Sequence, residues 1–480
     1  MKAAIKNLLQ GLKKFFADFG NAITKGDIWT RLSLIIMGAG YFGRKQFIKG
    51  ILMTVFEILC IVTFTGFCLP YLLKFDTLGD VERVAIFDPI TMTDVVNDYD
   101  NSLLILLMGT MSIIFVIAFI FVYILNTRAV YRLQVAKEQG QHINTFVEDV
   151  RRFANDRFHI TLLSLPAIGV VLFTVVPLIF MIFVAFTNYD ENHLAPSKLF
   201  TWVGLDNFIS LFTTSTTVTF GYTFVRVLAW TLIWAVAATF TTYIGGILLA
   251  KLINDKLTFG KPFWRTCFVV TIAIPQFVTL LLIGKMFGNY GIVNGLLADT
   301  GIIEFFKNIG WIGEGLTYIP FLTKPGWAHV MIILINIWIG VPYQMLVATG
   351  ILMNIPSDQL ESARIDGATN RQIFWKIIMP YYLFITGPSL ITSFIGNINN
   401  FNVIYLLASS GGFVTTDMSL AASQSKEIDL LITWLFTLTN DYSNFKMASV
   451  IGIVVFIICA GFTLITYTRM IAGDKEEEFQ

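Results

Sequence analysis

Asn336, Gly340 and Tyr343 fall at positions i, i+4 and i+7 of one apolar run, and Ser393, Asn397 and Asn400 repeat that spacing in another. On a helix each set shares one face. Together they offer carboxamides, a hydroxyl, one phenol ring and a glycine that admits close approach to the backbone. None carries charge. Asn both donates and accepts, as sugar hydroxyls require, and Tyr offers an apolar face with a hydroxyl at its edge. This chemistry suits a neutral polyhydroxyl ligand. A charged ligand calls for Arg or Lys and an ion-coupled one for carboxylates, and the apolar runs hold only Glu57 and Lys285 apart from Arg265 and Arg469 at their ends. The same spacing fits a second reading, in which the amides bond between helices and the glycine permits tight packing. The sequence leaves both open.

The elements that present these residues lie in lipid. The chain of 480 residues is 55% hydrophobic and only 14% charged, against about 25% charged in a soluble domain. That composition describes an all-α polytopic membrane protein. A transmembrane helix needs about 20 mostly apolar residues, and eight segments qualify, at roughly 50–72, 102–126, 159–187, 227–250, 264–287, 328–353, 381–408 and 447–470. Pro166, Pro177, Pro275, Pro342 and Pro388 fall inside them, as neighbouring helices allow. The run 28–40 is too short to span. It is expected at the interface, after a Lys-rich amphipathic start in which Lys6, Lys13 and Lys14 stand beside Leu12, Phe15 and Phe16. No cleaved signal peptide is expected.

Other chemistries find little support. Cys60, Cys68, Cys267 and Cys459 lie in or beside apolar runs without metal-ligand spacing and read as small hydrophobes. His142, His159, His193 and His329 are scattered. No metal, cofactor or catalytic constellation is expected, and no nucleic-acid partner. A phosphate-binding G-x4-GK[ST] loop is missing, so ATP is not bound here in the usual way.

Lys and Arg orient the chain. With both ends in the cytoplasm, the inside segments hold 24 of the 33 basic residues and the outside loops 8, with Lys285 inside a span. Loop 127–157 then lies inside, with mixed charge that predicts a short helix. Loop 73–100 lies outside and is acidic, with Asp76, Asp80, Asp88, Asp94 and Asp98. Residues 354–380 lie inside. There Pro356 and Ser357 start a helix over about 357–366, Gly367 ends it in the left-handed conformation, and Arg371–Met379 is a second helical run before Pro380 returns the chain to the membrane. A bare connector needs only a few residues, so this structured loop invites docking by a partner.

The stretch resembles the EAA loop of ABC importer permeases, E-A-A-x3-G-x9-I-x-L-P. It carries Glu361, Ser362, Ala363, Gly367, Ile377, Met379 and Pro380, with Ser362 for the usual Ala and Met379 for the usual Leu. The segments NNFNVIYLLASSGG (399–412) and DLLITWLFTLT (429–439) are similar to the larger, eight-span permease of maltose and maltodextrin importers, over most of 160–470.

That resemblance implies a type I ABC importer core over 158–480, two extra spans over 50–157 and an amphipathic segment over 1–49. It implies alternating access in a multi-pass protein of the bacterial cytoplasmic membrane. Glu361, Ala363, Asp366, Gly367 and Pro380 would form the coupling loop that enters a cleft on an ATP-binding subunit. Asn336, Gly340, Tyr343, Ser393, Asn397 and Asn400 match the family's maltose-site positions, while the region around Asn289 and Tyr290 departs from the pattern. The implied partners are a second permease, two ATP-binding subunits and an extracellular sugar-binding protein. Loop 188–226 lacks the large domain of Gram-negative members, which implies a lipid-anchored binding protein. Other neutral oligosaccharides, and an ion-coupled symporter, remain alternatives.

Overall fold

The computed structural model describes residues 13–472, apart from 14, 16, 90–91, 214–219 and 256. Lys6, Leu12, Lys14 and Phe16 of the amphipathic start lie outside the described residues. Among those described, seven helices are long and apolar enough to cross a membrane: Phe47–Leu73, Ser102–Glu138, Phe158–Val184, Phe220–Asn254, Pro325–Met353, Asn370–Ala408 and Phe445–Thr468. A further span is a broken pair, Lys261–Ala273 and Gln276–Met286, bent by 93°. These are spans one to eight in chain order, with the broken pair fifth.

Proline shapes several of them. Each π-helical turn, at Phe64–Cys68, Val171–Val175 and Phe374–Ile378, ends two residues before a proline, at Pro70, Pro177 and Pro380. Proline lacks an N–H and its ring collides with the carbonyl four residues back. One widened turn absorbs both problems and lets the helix continue. Span seven therefore runs unbroken through Pro380, and the second half of the hairpin is the start of the span itself. Span five is different: Ile274 and Pro275 are extended, at ψ 127° each, and the helix breaks.

The described residues up to 204 form one compact unit. The helix of span two continues past the apolar run to Glu138, and the N-terminal segment packs on this extension. Asp18 pairs with Arg128 at 3.1 Å and Arg132 at 2.9 Å, and the Arg128 guanidinium lies 4.7 Å from the Phe15 ring centre. Short helices Ile28–Leu32 and Ala39–Phe42 follow. Their polar groups close a buried network. Arg44 donates to Thr30 Oγ1 at 2.7 Å and Asp27 Oδ1 at 3.1 Å, while Gln134 Oε1 accepts from Thr30 Oγ1 and the Asp27 amide. Part of the segment expected at the lipid interface is thus bound to protein. Loop 127–157 carries the expected helix at Phe146–Ala154, started by a Thr145–Glu148 capping box. In loop 73–100, strands Ala85–Asp88 and Thr93–Val96 form an antiparallel hairpin, with Ala85 opposite Val96.

The described residues from 205 onward form the second unit. Spans four and six cross where glycine removes the side chain. A Cβ on Gly246 would lie 2.3 Å from Gln344 Cβ, and one on Gly340 would lie 2.7 Å from Thr242 Cγ2. Such small-residue crossings let membrane helices approach closely. Around them Trp234, Leu280, Ile332, Val403 and Leu407 make one buried core, and Tyr243, Ile247, Met345, Phe374 and Tyr382 a second.

Candidate functional site

Span six presents Asn336, Gly340 and Tyr343 in different settings. Asn336 is buried. Gly340 faces Thr242 of span four, so its missing side chain serves helix packing. Tyr343 is 58% exposed. Among the described residues no hydrogen-bond partner engages the side chains of Asn336, Tyr343 or Ser393. That is unusual for polar groups in a membrane helix, which normally find partners. Their capacity is available to a ligand.

Span seven bends its polar groups toward span four. Asn397 Nδ2 donates to Thr239 Oγ1 at 2.9 Å, and the Asn397 carbonyl accepts from Trp234 Nε1 at 3.1 Å. Asn400 Nδ2 donates to Asn397 Oδ1 at 3.4 Å, and Asn400 Oδ1 caps the next helix at Val403 N. These two asparagines are partly spent on holding the helices. Asn289 is engaged by the Thr323 hydroxyl at 3.1 Å, and Tyr290 is 93% exposed beside Tyr318.

The break in span five creates a feature that an apolar run does not show. A cavity of about 480 Å³ opens at the bend, lined by Gln276, Thr279, Trp338 and Tyr343 among others. Tyr343 is the member of the two stripes that lines it. Pro275 was the available signal, but Pro166, Pro342 and Pro388 sit inside continuous helices. Proline alone does not mark a break.

The hairpin is built by its end groups. Helix Ser357–Ile365 terminates in a Schellman arrangement, in which Ala368 N donates to Ala363 O at 2.9 Å and Gly367 N to Arg364 O at 3.0 Å. Gly367 has φ +80°, where a side chain is strained. Thr369 and Gln372 then form a capping box for the next helix. Glu361 and Asp366 are exposed, and Ile365 is 85% exposed. Ala363 is half-buried and Pro380 continues into span seven. The other end is anchored: Phe374 is buried among Tyr243, Ile247 and Met345, with the Lys251 ammonium 4.2 Å from its ring centre. Nothing in the sequence marked Phe374 as that anchor. A free helix tip carrying an apolar and an acidic residue, on a base fixed in the helix core, can pass a push from a partner to spans four, six and seven.

Comparison with known proteins agrees with this architecture. Residues 242–472 match the family of binding-protein-dependent transport system inner membrane components. The maltodextrin transport system permease protein MdxF of Bacillus subtilis is 32% identical, over 95% of this chain and 99% of its own. The chain belongs to this permease family. The permease is equally close in identity, 32% over 92% of this chain and 97% of the other, to the galactooligosaccharides transport system permease protein GanP of Bacillus subtilis. In fold it is similar to a chain from the crystal structure of a bacterial ABC transporter involved in the import of the acidic polysaccharide alginate. That match has a TM-score of 0.50 at 22% identity and covers 68% of this chain and 99% of the other. The permease is a multi-span protein of the cytoplasmic membrane and a translocation subunit rather than an enzyme; ATP hydrolysis belongs to separate subunits.

Proposed function

We propose that the permease carries neutral malto-oligosaccharides inward by alternating access. The observation that carries this reading is the uncharged, unspent polar set, Asn336, Tyr343 and Ser393, on two adjoining spans. Asn397 and Asn400 complete it at the span four contact. Hydroxyls that donate and accept match these groups, whereas an acidic sugar would require cations.

In this reading both termini and the Ser357–Ile365 helix lie in the cytoplasm, as the Lys and Arg bias supports. Glu361 and Ile365 dock on an ATP-binding subunit, one of two, and a second permease completes the pathway. A lipid-anchored extracellular protein delivers the sugar. MdxF and GanP are equally identical to this chain and are named for different oligosaccharides. We prefer the α-glucan on the resemblance of segments 399–412 and 429–439 to the maltose and maltodextrin permease pattern. Competition for uptake decides between them. Unlabelled maltotriose, and not a galacto-oligosaccharide, is expected to suppress labelled maltotriose import; suppression by the galacto-oligosaccharide alone contradicts the assignment.

A further inference from the structure

A second cavity, of about 270 Å³, lies between the N-terminal halves of spans four and six and the segment before helix Leu431–Asn440. Its walls include Arg226, Trp230, Ile233, His329, Lys426 and Glu427. The segment is tied down around it. Trp230 Nε1 donates to Ile428 O at 3.1 Å, the Leu431 amide donates to Thr231 Oγ1 at 3.1 Å, and His329 Nε2 lies 3.0 Å from Glu427 O. The Trp230 and His329 rings meet edge to face at 4.0 Å. The cavity is therefore a built feature of three elements.

Glu427 gives it chemistry. One carboxylate oxygen, Oε1, accepts from Thr416 N, Thr416 Oγ1 and Asp417 N at 2.6–2.8 Å. The other, Oε2, is buried with no hydrogen-bond partner. An unsatisfied buried acceptor is costly, and a shift of the side chain that lets a donor reach Oε2 relieves that cost. Arg226 and Lys426 bring donors to the same walls. They also face Asp417 and Asp429, so the surrounding charge is balanced rather than of one sign. An anion would meet Glu427 and a cation would meet Arg226 and Lys426. A hydroxyl can donate to the first and accept from the others.

The position matters as much as the chemistry. His329, Asn336 and Tyr343 are spaced by seven residues and share one face of span six. At 1.5 Å per residue, His329 stands roughly 10 Å along the axis from Asn336. Trp230 and Trp234 are one turn apart on span four, and Trp234 holds the Asn397 carbonyl. The cavity and the first residue of the proposed sugar stripe thus lie on one face of span six, about two turns apart.

We propose that this cavity is an outer sugar subsite, occupied by one end of a neutral oligosaccharide whose other end lies on the Asn336–Tyr343 stripe. It rests on the proposed function above and adds a length preference to it. A short sugar fills the stripe alone; a longer chain gains the Glu427 subsite.

The test uses the complete importer in proteoliposomes with its binding protein. Glu427→Gln keeps an oxygen for Thr416 and Asp417 and replaces Oε2 by an amide NH2. Ile233→Trp, at an exposed wall position, fills the cavity without touching Glu427. Both variants are expected to raise the KM for maltoheptaose at least fivefold while changing that for maltose less than twofold. Unchanged KM for both sugars in both variants overturns the subsite, as does equal impairment of maltose and maltoheptaose, which marks a structural role. Failure of the unsubstituted importer to take up either sugar instead contradicts the proposed function itself.

Discussion

Gly340 of span six and Thr242 of span four touch so closely that a Cβ at position 340 would stand 2.7 Å from the threonine methyl. The glycine therefore belongs to the crossing of two helices, although it shares a face with two polar residues whose bonds are unspent. Gly340→Ala is expected to cost about 1–3 kcal/mol by overpacking. Lowered thermal stability of the purified complex, with an unchanged KM in the molecules that remain folded, is the expected signature. A changed KM at full stability would place the glycine at the ligand.

Asn336 has the opposite profile. Its amide holds no neighbour, so Asn336→Ala loses no internal hydrogen bond and is expected to cost only about 1 kcal/mol for the space it leaves. The lost ligand bond is worth about 1 kcal/mol, or roughly a fivefold rise in KM. Uptake kinetics and a melting curve on one preparation check both halves.

Glu361 lies exposed on helix Ser357–Ile365, on the other side of the Gly367 turn from the Phe374 anchor. Glu361→Lys is expected to leave the fold and the sugar stripe intact while abolishing import. The check is folding by melting together with uptake and ATP hydrolysis in the assembled importer. Normal import by this variant removes Glu361 from the coupling role.

Asp429 supplies a pH dependence. Burial pushes its carboxyl up to about 6, against the opposing hydrogen bonds from the Lys426 amide and the Thr433 hydroxyl. Because the folded value lies above the usual carboxylate value, the folded state holds the proton more tightly. This group's contribution to stability therefore falls as pH rises from about 4 through 6. Asp429→Asn is expected to lose that slope, gaining stability relative to the unsubstituted chain at pH 7 but not at pH 4. Parallel melting temperatures across that range would contradict it.

Much of this architecture was legible because lipid imposes a simple code. Runs of apolar residues located the spans, and Gly367 marked the end of the hairpin helix because its +80° φ disfavours side chains. What could not be read depended on partners distant in the chain. Pro275 breaks a helix, yet Pro380 is absorbed by a π turn and Pro342 sits within a continuous helix; the outcome depends on which neighbours satisfy the freed carbonyls. Asn397 and Asn336 look alike in the sequence. Only the placement of Thr239 shows that one is partly spent and the other is not. The segment before Leu431 is held by Trp230, some 200 residues earlier, a pairing that no local pattern announces.

The most direct measurement is maltotriose uptake into proteoliposomes that hold this chain with its ATP-binding subunits, second permease and binding protein. It should be made with and without ATP on the side of the ATP-binding subunits, and with ion gradients collapsed. The account predicts uptake that requires ATP and survives collapse of the gradients. Uptake that needs only a gradient would contradict it.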